Sequence, residues 1–574
     1  MSELDLKIVG GTLIDGTGCE RRRADLGIRD GRVVAVGEVP GSAAQTVDAG
    51  GLVVAPGFVD IHTHYDAQVL WDPLLTVSPW HGVTTAVLGN CGFGVAPTRP
   101  QHRDLILRTL ERVEGMSLAA LEAGLGREWP FQSFPEYMDA LERVPLGINV
   151  AVMVGHTPVR LWVMGDEATT RAATAEEIAQ MRELVAQAMD AGAVGFATSV
   201  SKVHIGYSGR PVPSRLAGFE EMLELARAVG ASGHGLIHYN VGRDPLWDAY
   251  EALHAASGRP VVWTSLLAGS LGPGSHRAHL ARAAQQRERG LPIHGQGACR
   301  PIQFEFDFRS PVVFDTWASF EPVRLAADEA QRRAVYADPA FRARVKRQVA
   351  GRGPDDAWFA GKEAEGDTRR AAFRELAISW AADAGLTERK LVDLARERGV
   401  DPVDLMFDLA LDSNLRMRWR IALLNFDEAE VCEILQDPHV VLGLGDGGAH
   451  MSQLCDACHP TYLLGHWVRK RGALSLEEAV RRLSSQPAEV FGLHDRGRVA
   501  PGLPADLVIF DAATVGAGPL ERVHDLPAGE DRLVSHPAGI EAVFVKGQRL
   551  PPPGQPAAKT AGQLLRQRGP AATA

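Results

Sequence analysis

Short β-type runs separated by turn residues occur near both ends of the chain. Near the start they cover residues 6–8, 12–14, 26–28 and 33–36. Glycine turns such as Asp30-Gly31 separate them, a pattern that predicts β-hairpins. Near the end, similar runs cover residues 505–510 and 540–545. We therefore expect one small β-sandwich domain that combines segments 1–56 and 497–550.

Between these ends, strand-like apolar runs alternate with helical patterns. The candidate strands cover residues 83–88, 147–154, 194–197, 235–238, 260–266 and 440–444. Helical periodicity occupies residues 174–190 and 220–229. Strands that alternate with helices favour a parallel sheet, and about eight such repeats close it into a barrel. The pattern predicts an α/β fold with a (β/α)8 TIM barrel over residues 57–496.

Two segments depart from this alternation. Residues 322–426 are rich in Arg, Asp and Glu, and we expect them to form a helical insertion that covers the site. Residues 551–574 are rich in Pro, Ala and Gln. That composition is typical of a loose tail or a partner-binding arm.

Composition and charge restrict the class of protein. Of the 574 residues, 45% are hydrophobic and 23% are charged, as in a soluble globular protein. The net charge of −11 argues against a nucleic-acid binder, which needs a basic surface. No apolar run reaches the roughly 18 residues of a membrane span. The chain starts without a secretory signal and its six cysteines are scattered, so we expect a cytoplasmic protein.

Three short motifs carry candidate metal ligands. His62 and His64 end an apolar run, and side chains two residues apart on a strand point to the same face. Cys91 and Asp446 each follow a candidate strand, at the end where barrels carry their chemistry. Imidazole, thiolate and carboxylate groups are ligands of zinc. The motifs are therefore compatible with a zinc site in which Asp446 also accepts a proton from the attacking water. The alternatives are a pair of ordinary polar histidines at a strand end, an Asx-type turn at Asp446 and a small buried hydrophobic residue at Cys91.

The motif Pro56-Gly57-Phe58-Val59-Asp60-Ile61-His62-Thr63-His64, followed by Asp66, resembles the amidohydrolase superfamily. Other motifs are similar to its D-aminoacylase (N-acyl-D-amino-acid deacylase) branch: Gly89-Asn90-Cys91-Gly92, Val113-Glu114-Gly115-Met116-Ser117, Phe134-Pro135-Glu136-Tyr137, Asp446-Gly447, His459-Pro460, Ser484-Ser485-Gln486-Pro487-Ala488 and Gly502-Leu503-Pro504-Ala505-Asp506-Leu507-Val508. The resemblance covers mainly residues 1–240 and 435–550.

The resemblance implies one or two zinc ions and a metal-activated water that attacks a C–N bond. The metal ligands would fall on His62, His64, Cys91, Asp446 and one histidine from each of the fifth and sixth strands. His238 fits the fifth strand. His234 is the weaker candidate because it precedes that strand.

The sixth strand departs from the family pattern. The family has a histidine and then a lysine there, whereas this chain has Ser265 and Leu267. A second metal therefore loses a ligand, which leaves open a single zinc, or one strong and one weak site. The lysine that would pair with a substrate carboxylate is also absent, so the substrate stays open as well.

Other polar residues near strand ends are candidates for catalysis or substrate binding. His156 closes the third strand, where it is either an oxyanion-stabilising catalytic group or a histidine satisfied by backbone. Lys202 is either a carbamylated metal bridge, as in other amidohydrolases, or the partner of an acid or a substrate carboxylate, which we prefer. The residues that could line the substrate pocket are His204, Tyr207, Arg210 and Arg215.

The segment Cys455-Asp456-Ala457-Cys458-His459 matches the short pattern for covalent haem attachment. That attachment goes with export, for which no signal is present, and the resemblance already accounts for His459. A structural zinc clip formed by Cys455, Cys458 and either His450 or His459 is a second alternative.

Together these observations predict a zinc-dependent amidohydrolase that cleaves a linear, non-peptide amide bond of an N-acyl amino acid or a related N-acyl small molecule. A hydrolase of cyclic amides, imides or lactones is the alternative within the same chemistry. A catalytically silent barrel that acts as a binding protein is the alternative of another class. We expect a small-molecule amide substrate, no nucleic-acid or membrane partner, and a homo-oligomer.

Overall fold

The computed structural model describes residues 4–202, 204–242, 245–314, 317–350, 371–555 and 559–569. The chain divides into two compact units. Unit 1 comprises Met1–Leu266, His279–Cys299 and Leu435–Ala574, and unit 2 comprises Leu267–Ala278 and Arg300–Ile434.

The strands, in chain order, are β1 (Leu4–Val9), β2 (Thr12–Leu13), β3 (Arg22–Arg23), β4 (Asp25–Arg29), β5 (Arg32–Gly37), β6 (Ala43–Asp48), β7 (Val53–Pro56), β8 (Phe58–Asp60), β9 (Val83–Leu88), β10 (Asn149–Val152), β11 (Val154–Gly155), β12 (Gly195–Ser199), β13 (Leu236–Asn240), β14 (Val261–Leu266), β15 (Ile293–Gly297), β16 (Ile302–Asp307), β17 (Ala377–Trp380), β18 (Arg418–Leu424), β19 (Val441–Leu442), β20 (Leu507–Phe510), β21 (Gly516–Val523), β22 (Arg532–Ala538), β23 (Ile540–Val545) and β24 (Gln548–Arg549).

The α-helices are α1 (Arg103–Glu114), α2 (Leu118–Leu125), α3 (Phe134–Arg143), α4 (His156–Met164), α5 (Ala175–Asp190), α6 (Phe219–Ala231), α7 (Trp247–Ser257), α8 (Ser275–Glu288), α9 (Glu321–Arg324), α10 (Glu329–Ala337), α11 (Pro339–Val349), α12 (Leu391–Arg398), α13 (Pro402–Asp412), α14 (Glu428–Gln436), α15 (His459–Tyr462), α16 (Leu476–Leu483) and α17 (Ser485–Val490). Within the described ranges, none of these helices has both the length and the apolar character needed to cross a membrane.

Two sheets of unit 1 are built from segments near the two ends of the chain. One has the strand order β5-β4-β1-β6, and the other has the order β24-β23-β20-β7-β2-β3. In the second sheet β20 pairs antiparallel with β7, so that Leu507 lies opposite Pro56. A buried apolar cluster draws on both sheets through Leu6, Val54 and Phe544. The two ends of the chain stabilise each other because each would otherwise expose an apolar face to water.

Parallel strands make up the rest of unit 1. One sheet has the order β10-β9-β8 and another has the order β11-β12-β13-β14-β15-β19, with every pairing parallel. Only Met153 separates β10 from β11. A parallel bridge between Thr63 and Gly447 joins the chain after β8 to the chain after β19. Residues that follow these strands therefore lie at one common edge, where α/β enzymes carry their chemistry.

The sequence pattern located most of these parallel strands. β9 has the predicted bounds, and β12, β13 and β14 overlap the predicted runs, as do helices α5 and α6. The α/β class is confirmed. β15 is missing from the predicted strands because its sequence, Ile-His-Gly-Gln-Gly, contains no apolar run.

Helix α5 shows which sequence signals allowed the helices to be predicted. The Thr174 side chain accepts a hydrogen bond from the Glu177 backbone, and the Glu177 side chain bonds back to Thr174, which forms a capping box. The buried side chains of the helix are Met181, Val185, Ala188 and Met189. Met181, Val185 and Met189 recur every four residues, and Ala188 lies three residues after Val185, which places them on one helix face.

Unit 2 contains the described part of the predicted insertion at 322–426, of which residues 351–370 lie outside the described residues. The expectation of a purely helical segment is wrong, because β17 and β18 pair antiparallel within it. In β18 the alternation of Arg418, Trp419, Arg420 and Ile421 buries Trp419 and Ile421, which is the period of a strand. Unit 2 has its own aromatic-rich core.

Residues 559–569 pack against other segments of unit 1, which contradicts the expectation of a loose tail for this part of the chain. The Val150 N–H donates to the Gln563 carbonyl at 3.0 Å, and the Leu565 N–H donates to the Val150 carbonyl at 2.7 Å. The Arg566 guanidinium bonds to Asp139 and Glu142. Through these backbone hydrogen bonds the segment lies alongside β10. Residues 556–558 and 570–574 lie outside the described residues.

Candidate active site

Residues that follow the first and last parallel strands are joined by backbone hydrogen bonds. The Asp446 N–H donates to the His62 carbonyl at 3.0 Å, and the His64 N–H donates to the Gly447 carbonyl at 2.7 Å. Because side chains at alternate positions share a face, His62 and His64 both turn toward Asp446. The Asp60 carboxylate accepts the His62 N–H at 3.1 Å and fixes this turn.

The turn after β9 places Cys91 beside the two histidines. Cys91 itself has φ +56°, and Gly89 and Gly92 have φ +82° and +76°. A Cβ on Gly89 would lie 2.1 Å from the Met153 carbonyl oxygen, and one on Gly92 would lie 2.8 Å from the Thr198 Cα. Glycine at both positions therefore lets the turn approach the neighbouring strands closely.

The side chains of His62, His64 and Cys91 form a buried cluster whose possible ligand atoms all lie within 4.8 Å of one another. His62 Nε2 is 3.4 Å from Cys91 Sγ and 3.4 Å from Asp446 Oδ1. His64 Nε2 is 3.7 Å from the same Asp446 oxygen. The Asp446 side chain is 22% exposed, so the cluster opens toward solvent on its side.

A second layer of polar residues orients this cluster. The Gln296 side-chain oxygen lies 2.8 Å from His62 Nδ1, and a Glu114 oxygen lies 3.4 Å from His64 Nδ1. The Asn240 amide donates to Cys91 Sγ at 3.0 Å. Partners of this kind hold a ligand side chain in one orientation.

The electrostatics of the cluster favour a cation. Burial by itself raises the pKa of the Cys91 thiol, but the charge of His62 and hydrogen bonds to both histidines bring that pKa down to about 6. Burial also opposes ionisation of Asp446, yet its hydrogen bond to His64 and the charges of His62 and His64 hold its pKa below the usual value. Burial raises the pKa of Glu114 to about 8 and that of Asp60 to about 7. A thiolate and a carboxylate thus face one point.

The Amidohydrolase family profile matches residues 45–550, which is most of the chain and includes every residue of this cluster. The chain belongs to the amidohydrolase family.

Three similar proteins refine this assignment. D-aminoacylase of Alcaligenes xylosoxydans xylosoxydans is 32% identical over 553 residues, which are 95% of this chain and 93% of that protein. A crystal structure of N-acyl-D-glutamate deacylase from Bordetella bronchiseptica, complexed with zinc and a phosphonate mimic of the tetrahedral intermediate, has a TM-score of 0.64 at 29% identity and covers 99% of this chain and 100% of that one.

A structure of D-aminoacylase, described as having a binuclear metal centre with one-metal activation and second-metal attenuation, has a TM-score of 0.65 at 26% identity. The match covers 98% of this chain and 100% of the D-aminoacylase chain. The amidohydrolase therefore lies in the D-aminoacylase-like branch of the family.

The donor set of this amidohydrolase fits zinc. Two imidazoles, a thiol whose pKa is lowered to about 6 and a carboxylate of low pKa are the ligand types that zinc binds in proteins. Each imidazole has a polar partner on its outer nitrogen, as metal-binding histidines generally do.

His238 lies next to this cluster, on β13. Its ring centroid is 5.3 Å from that of His62, and its side chain is fully buried. Its Nε2 atom bonds to the Thr264 hydroxyl at 2.8 Å. Its Nδ1 atom has no hydrogen-bond partner among the described residues. His234, by contrast, precedes β13 and its Nδ1 lies 3.1 Å from the Ser232 carbonyl.

His156 does not join the cluster of the amidohydrolase. It is fully buried, with Nδ1 2.8 Å from the Thr198 hydroxyl and Nε2 2.8 Å from a Glu221 oxygen. Arg160 donates to the same carboxylate at 2.6 Å. Both ring nitrogens are occupied, so the structure contradicts the expected oxyanion role. His156 instead belongs to a buried ion-pair network with Arg160 and Glu221.

The remaining candidate residues lie in the segment after β12 and differ in their contacts and burial. The His204 ring lies 5.2 Å from that of Phe93, and its Nδ1 lies 2.7 Å from the Ser199 hydroxyl. Burial and the nearby His64 charge lower the pKa of His204 to about 3. Arg215 donates to the His204 carbonyl at 3.1 Å.

The other three residues of this segment are exposed: Lys202, Tyr207 and Arg210. The Arg108 guanidinium covers the Tyr207 ring at 4.9 Å. Lys202 forms no ion pair with another described residue and takes no part in the cluster, which contradicts a metal-bridging role for it.

The motif Cys455-x-x-Cys458-His459 yields no metal site. Among the described residues, only His62, His64 and Cys91 form a group with the compactness of a metal site. Both Cys455 and Cys458 are buried, and the Cys458 thiol donates to the Cys455 carbonyl at 3.0 Å. The geometry of the described residues therefore gives no support to the zinc clip.

Several residues around the cluster were missed as site residues by sequence reasoning: Asp60, Glu114, Asn240, Thr264 and Gln296. Glu114 had a usable signal, because it is a charged residue inside a motif of the family branch. Gln296 had none, because β15 itself was not predicted.

Proposed function

We propose that this amidohydrolase is a zinc-dependent deacylase that hydrolyses the linear amide bond of an N-acyl amino acid. The convergence of His62, His64, Cys91 and Asp446 on one buried point carries the proposal. We also infer that the parallel strands form a (β/α)8 barrel within residues 57–496, flanked by a small β-sandwich from segments 1–56 and 497–550. The bridge between Thr63 and Gly447 supports closure of such a barrel.

The substrate class follows from the related proteins. One relative is a D-aminoacylase and another is an N-acyl-D-glutamate deacylase, so both names describe removal of an acyl group from the nitrogen of a D-amino acid. The lysine that the family places after β14 is absent here, and this chain must recognise the substrate carboxylate by other means. His204 is our candidate for the pocket wall because the charges of His62 and His64 act on it.

The ligands that would hold zinc are His62, His64, Cys91, Asp446 and His238. Bound zinc supplies Lewis acidity that polarises the scissile carbonyl and increases the acidity of water. Since β14 contributes no histidine, this donor set suits one strong site better than two. We also propose that the protein is a homo-oligomer.

Asp446 is the proton carrier in our proposal. Its carboxylate has a low pKa and faces solvent in part, so it is ionised and accessible to water. Asp446 accepts a proton as the water attacks the amide carbon, and it then returns that proton to the departing nitrogen. His62 and His64 hold Asp446 in place for both transfers.

The test combines metal analysis with a substrate panel. Protein purified without chelators is analysed for zinc beside His62→Ala, and activity is measured on N-acyl-D- and N-acyl-L-amino acids, hydantoins, imides and lactones. We expect zinc in the wild type, loss of zinc in the variant, and release of free amino acid from the linear substrates.

Two outcomes would contradict the proposal in different ways. Turnover of the cyclic substrates alone would replace the deacylase with a ring-opening hydrolase. Absence of zinc after zinc is offered, with no turnover of any substrate, would favour a silent binding protein.

A further inference from the structure

A chain of hydrogen bonds links His238 to His62 through two residues that are not metal ligands. Thr264 on β14 and Gln296 on β15 are register partners in adjacent strands, and both are buried. The Thr264 hydroxyl lies 2.8 Å from Gln296 Oε1 and 2.8 Å from His238 Nε2. Gln296 Oε1 also lies 2.8 Å from His62 Nδ1.

The amide oxygen of Gln296 determines where the protons lie at its end of the chain. A carbonyl oxygen accepts hydrogen bonds and cannot donate one. Because it has two partners, His62 Nδ1 and the Thr264 hydroxyl must each donate a proton to it. His62 is therefore the Nδ1–H tautomer, and its Nε2 lone pair faces Cys91 and Asp446.

The Thr264 hydroxyl then determines the tautomer of His238. A hydroxyl carries one proton, and that proton is donated to Gln296. Its oxygen must therefore accept from His238 Nε2, which makes His238 the Nε2–H tautomer. The lone pair of His238 is left on Nδ1, the buried atom without a hydrogen-bond partner among the described residues.

We propose that Thr264 and Gln296 are positioning residues that lock both imidazoles in the tautomers that leave His62 Nε2 and His238 Nδ1 free to bind zinc. The inference rests on the zinc site of the proposed function. It explains how that site binds zinc although the sixth strand provides no ligand. That strand has Ser265 where the family has a ligand histidine, and the hydroxyl of the preceding residue, Thr264, acts on the site through His238.

The alternative tautomers are disfavoured on physical grounds. If His238 carried its proton on Nδ1, its Nε2 lone pair would compete for the single Thr264 proton. Gln296 Oε1 would then lose one of its two donors in a fully buried position. Each loss leaves a buried polar atom unsatisfied, which is costly in a low-dielectric interior.

The test measures zinc affinity by competition with a chelator. Thr264→Val removes the hydroxyl at similar volume, and we expect the zinc dissociation constant to rise about 10- to 100-fold, as for other residues that orient metal ligands. Thr264→Ser retains the hydroxyl and should bind zinc as the wild type does. Thr109→Val is the matched control, because the buried Thr109 hydroxyl donates only to the Leu105 carbonyl within helix α1.

A double-mutant cycle separates positioning from a general structural effect. Thr264→Val should weaken zinc binding in the wild-type background and have no further effect in His238→Ala, since the residue acts through that imidazole. Cobalt(II) substitution gives a spectroscopic check, because the d–d bands report the number of ligands. They should change alike in Thr264→Val and His238→Ala. Gln296→Leu, which removes the shared acceptor, repeats the test at the other end of the chain of bonds.

Three outcomes would overturn the inference. One is unchanged zinc affinity in both Thr264→Val and Gln296→Leu. Another is an equal loss of affinity from Thr264→Val with and without His238. The third is a wild type that binds no zinc, which would remove the proposed function at the same time, whereas the first two would leave that function intact.

Discussion

His62 Nε2 lies 3.4 Å from Asp446 Oδ1, although His62 follows the first of the parallel strands and Asp446 follows the last. The backbone bond from Asp446 N–H to the His62 carbonyl ties the two together. The cluster therefore exists only when these two ends of the strand series lie side by side. Formation of the site and folding of unit 1 are coupled through this contact.

Asp446→Asn should abolish turnover while the protein stays folded. The amide cannot take up the proton of the attacking water, so kcat should fall by about 10²- to 10⁴-fold. Steady-state kinetics measures the loss, and circular dichroism and zinc content report the fold and the site. Asp104→Asn, at an exposed surface ion pair, is the control and should leave kcat unchanged. Retained turnover in Asp446→Asn would exclude Asp446 as the proton carrier.

Glu114→Leu should weaken zinc binding. A Glu114 side-chain oxygen lies 3.4 Å from His64 Nδ1, and leucine removes the polar group that orients this imidazole. Loss of such a partner lowers metal affinity by about 10- to 100-fold, which chelator competition measures. Glu111→Leu, on the same helix but exposed, is the matched control. Equal zinc affinities in the two variants would show that His64 is oriented without Glu114.

Glu221→Gln should destabilise the fold without touching the cluster. The carboxylate is buried against Arg160 and His156, and its loss leaves the Arg160 charge buried without a counter-ion. Removal of one partner of a buried pair costs about 3–5 kcal/mol in the free energy of unfolding. Denaturant unfolding tests this beside Glu220→Gln, whose side chain is 69% exposed. If both variants unfold at the wild-type midpoint, the network contributes little to stability.

The stability of the protein should fall between pH 6.5 and pH 4 through His294 on β15. Burial, together with the charges of His439 and Arg287, lowers the pKa of His294 from 6.5 to about 4. In this window the unfolded chain binds a proton that the folded chain excludes, so unfolding becomes more favourable as the pH falls.

His294→Gln removes this titration and should flatten the dependence of unfolding free energy on pH over the same range. The wild type should lose on the order of 2 kcal/mol more than the variant between the two limits. Urea unfolding at a series of pH values measures the difference. Parallel curves for the two proteins would assign the acid sensitivity to other groups.

Several elements were predictable because their signals are local. The run 83–88 and the helical period of 174–190 are encoded in neighbouring residues, and β9 and α5 appear where they were expected. β15 was not predictable, because its burial comes from β14 and β19 on either side rather than from its own sequence. The expectation of a purely helical insertion was wrong for the same reason, since β17 and β18 exist through their mutual pairing.

By itself the sequence determined which side chains could bind a metal. His62, His64, Cys91 and Asp446 were recognisable because each follows a strand pattern or lies in a short motif of the family. Only the tertiary structure decided which polar residues face them. It brought Glu114, Thr264 and Gln296 to the cluster, and it placed His156 in a separate buried network. Ligand motifs are local in sequence, whereas hydrogen-bond partners are set by which strands and helices become neighbours on folding.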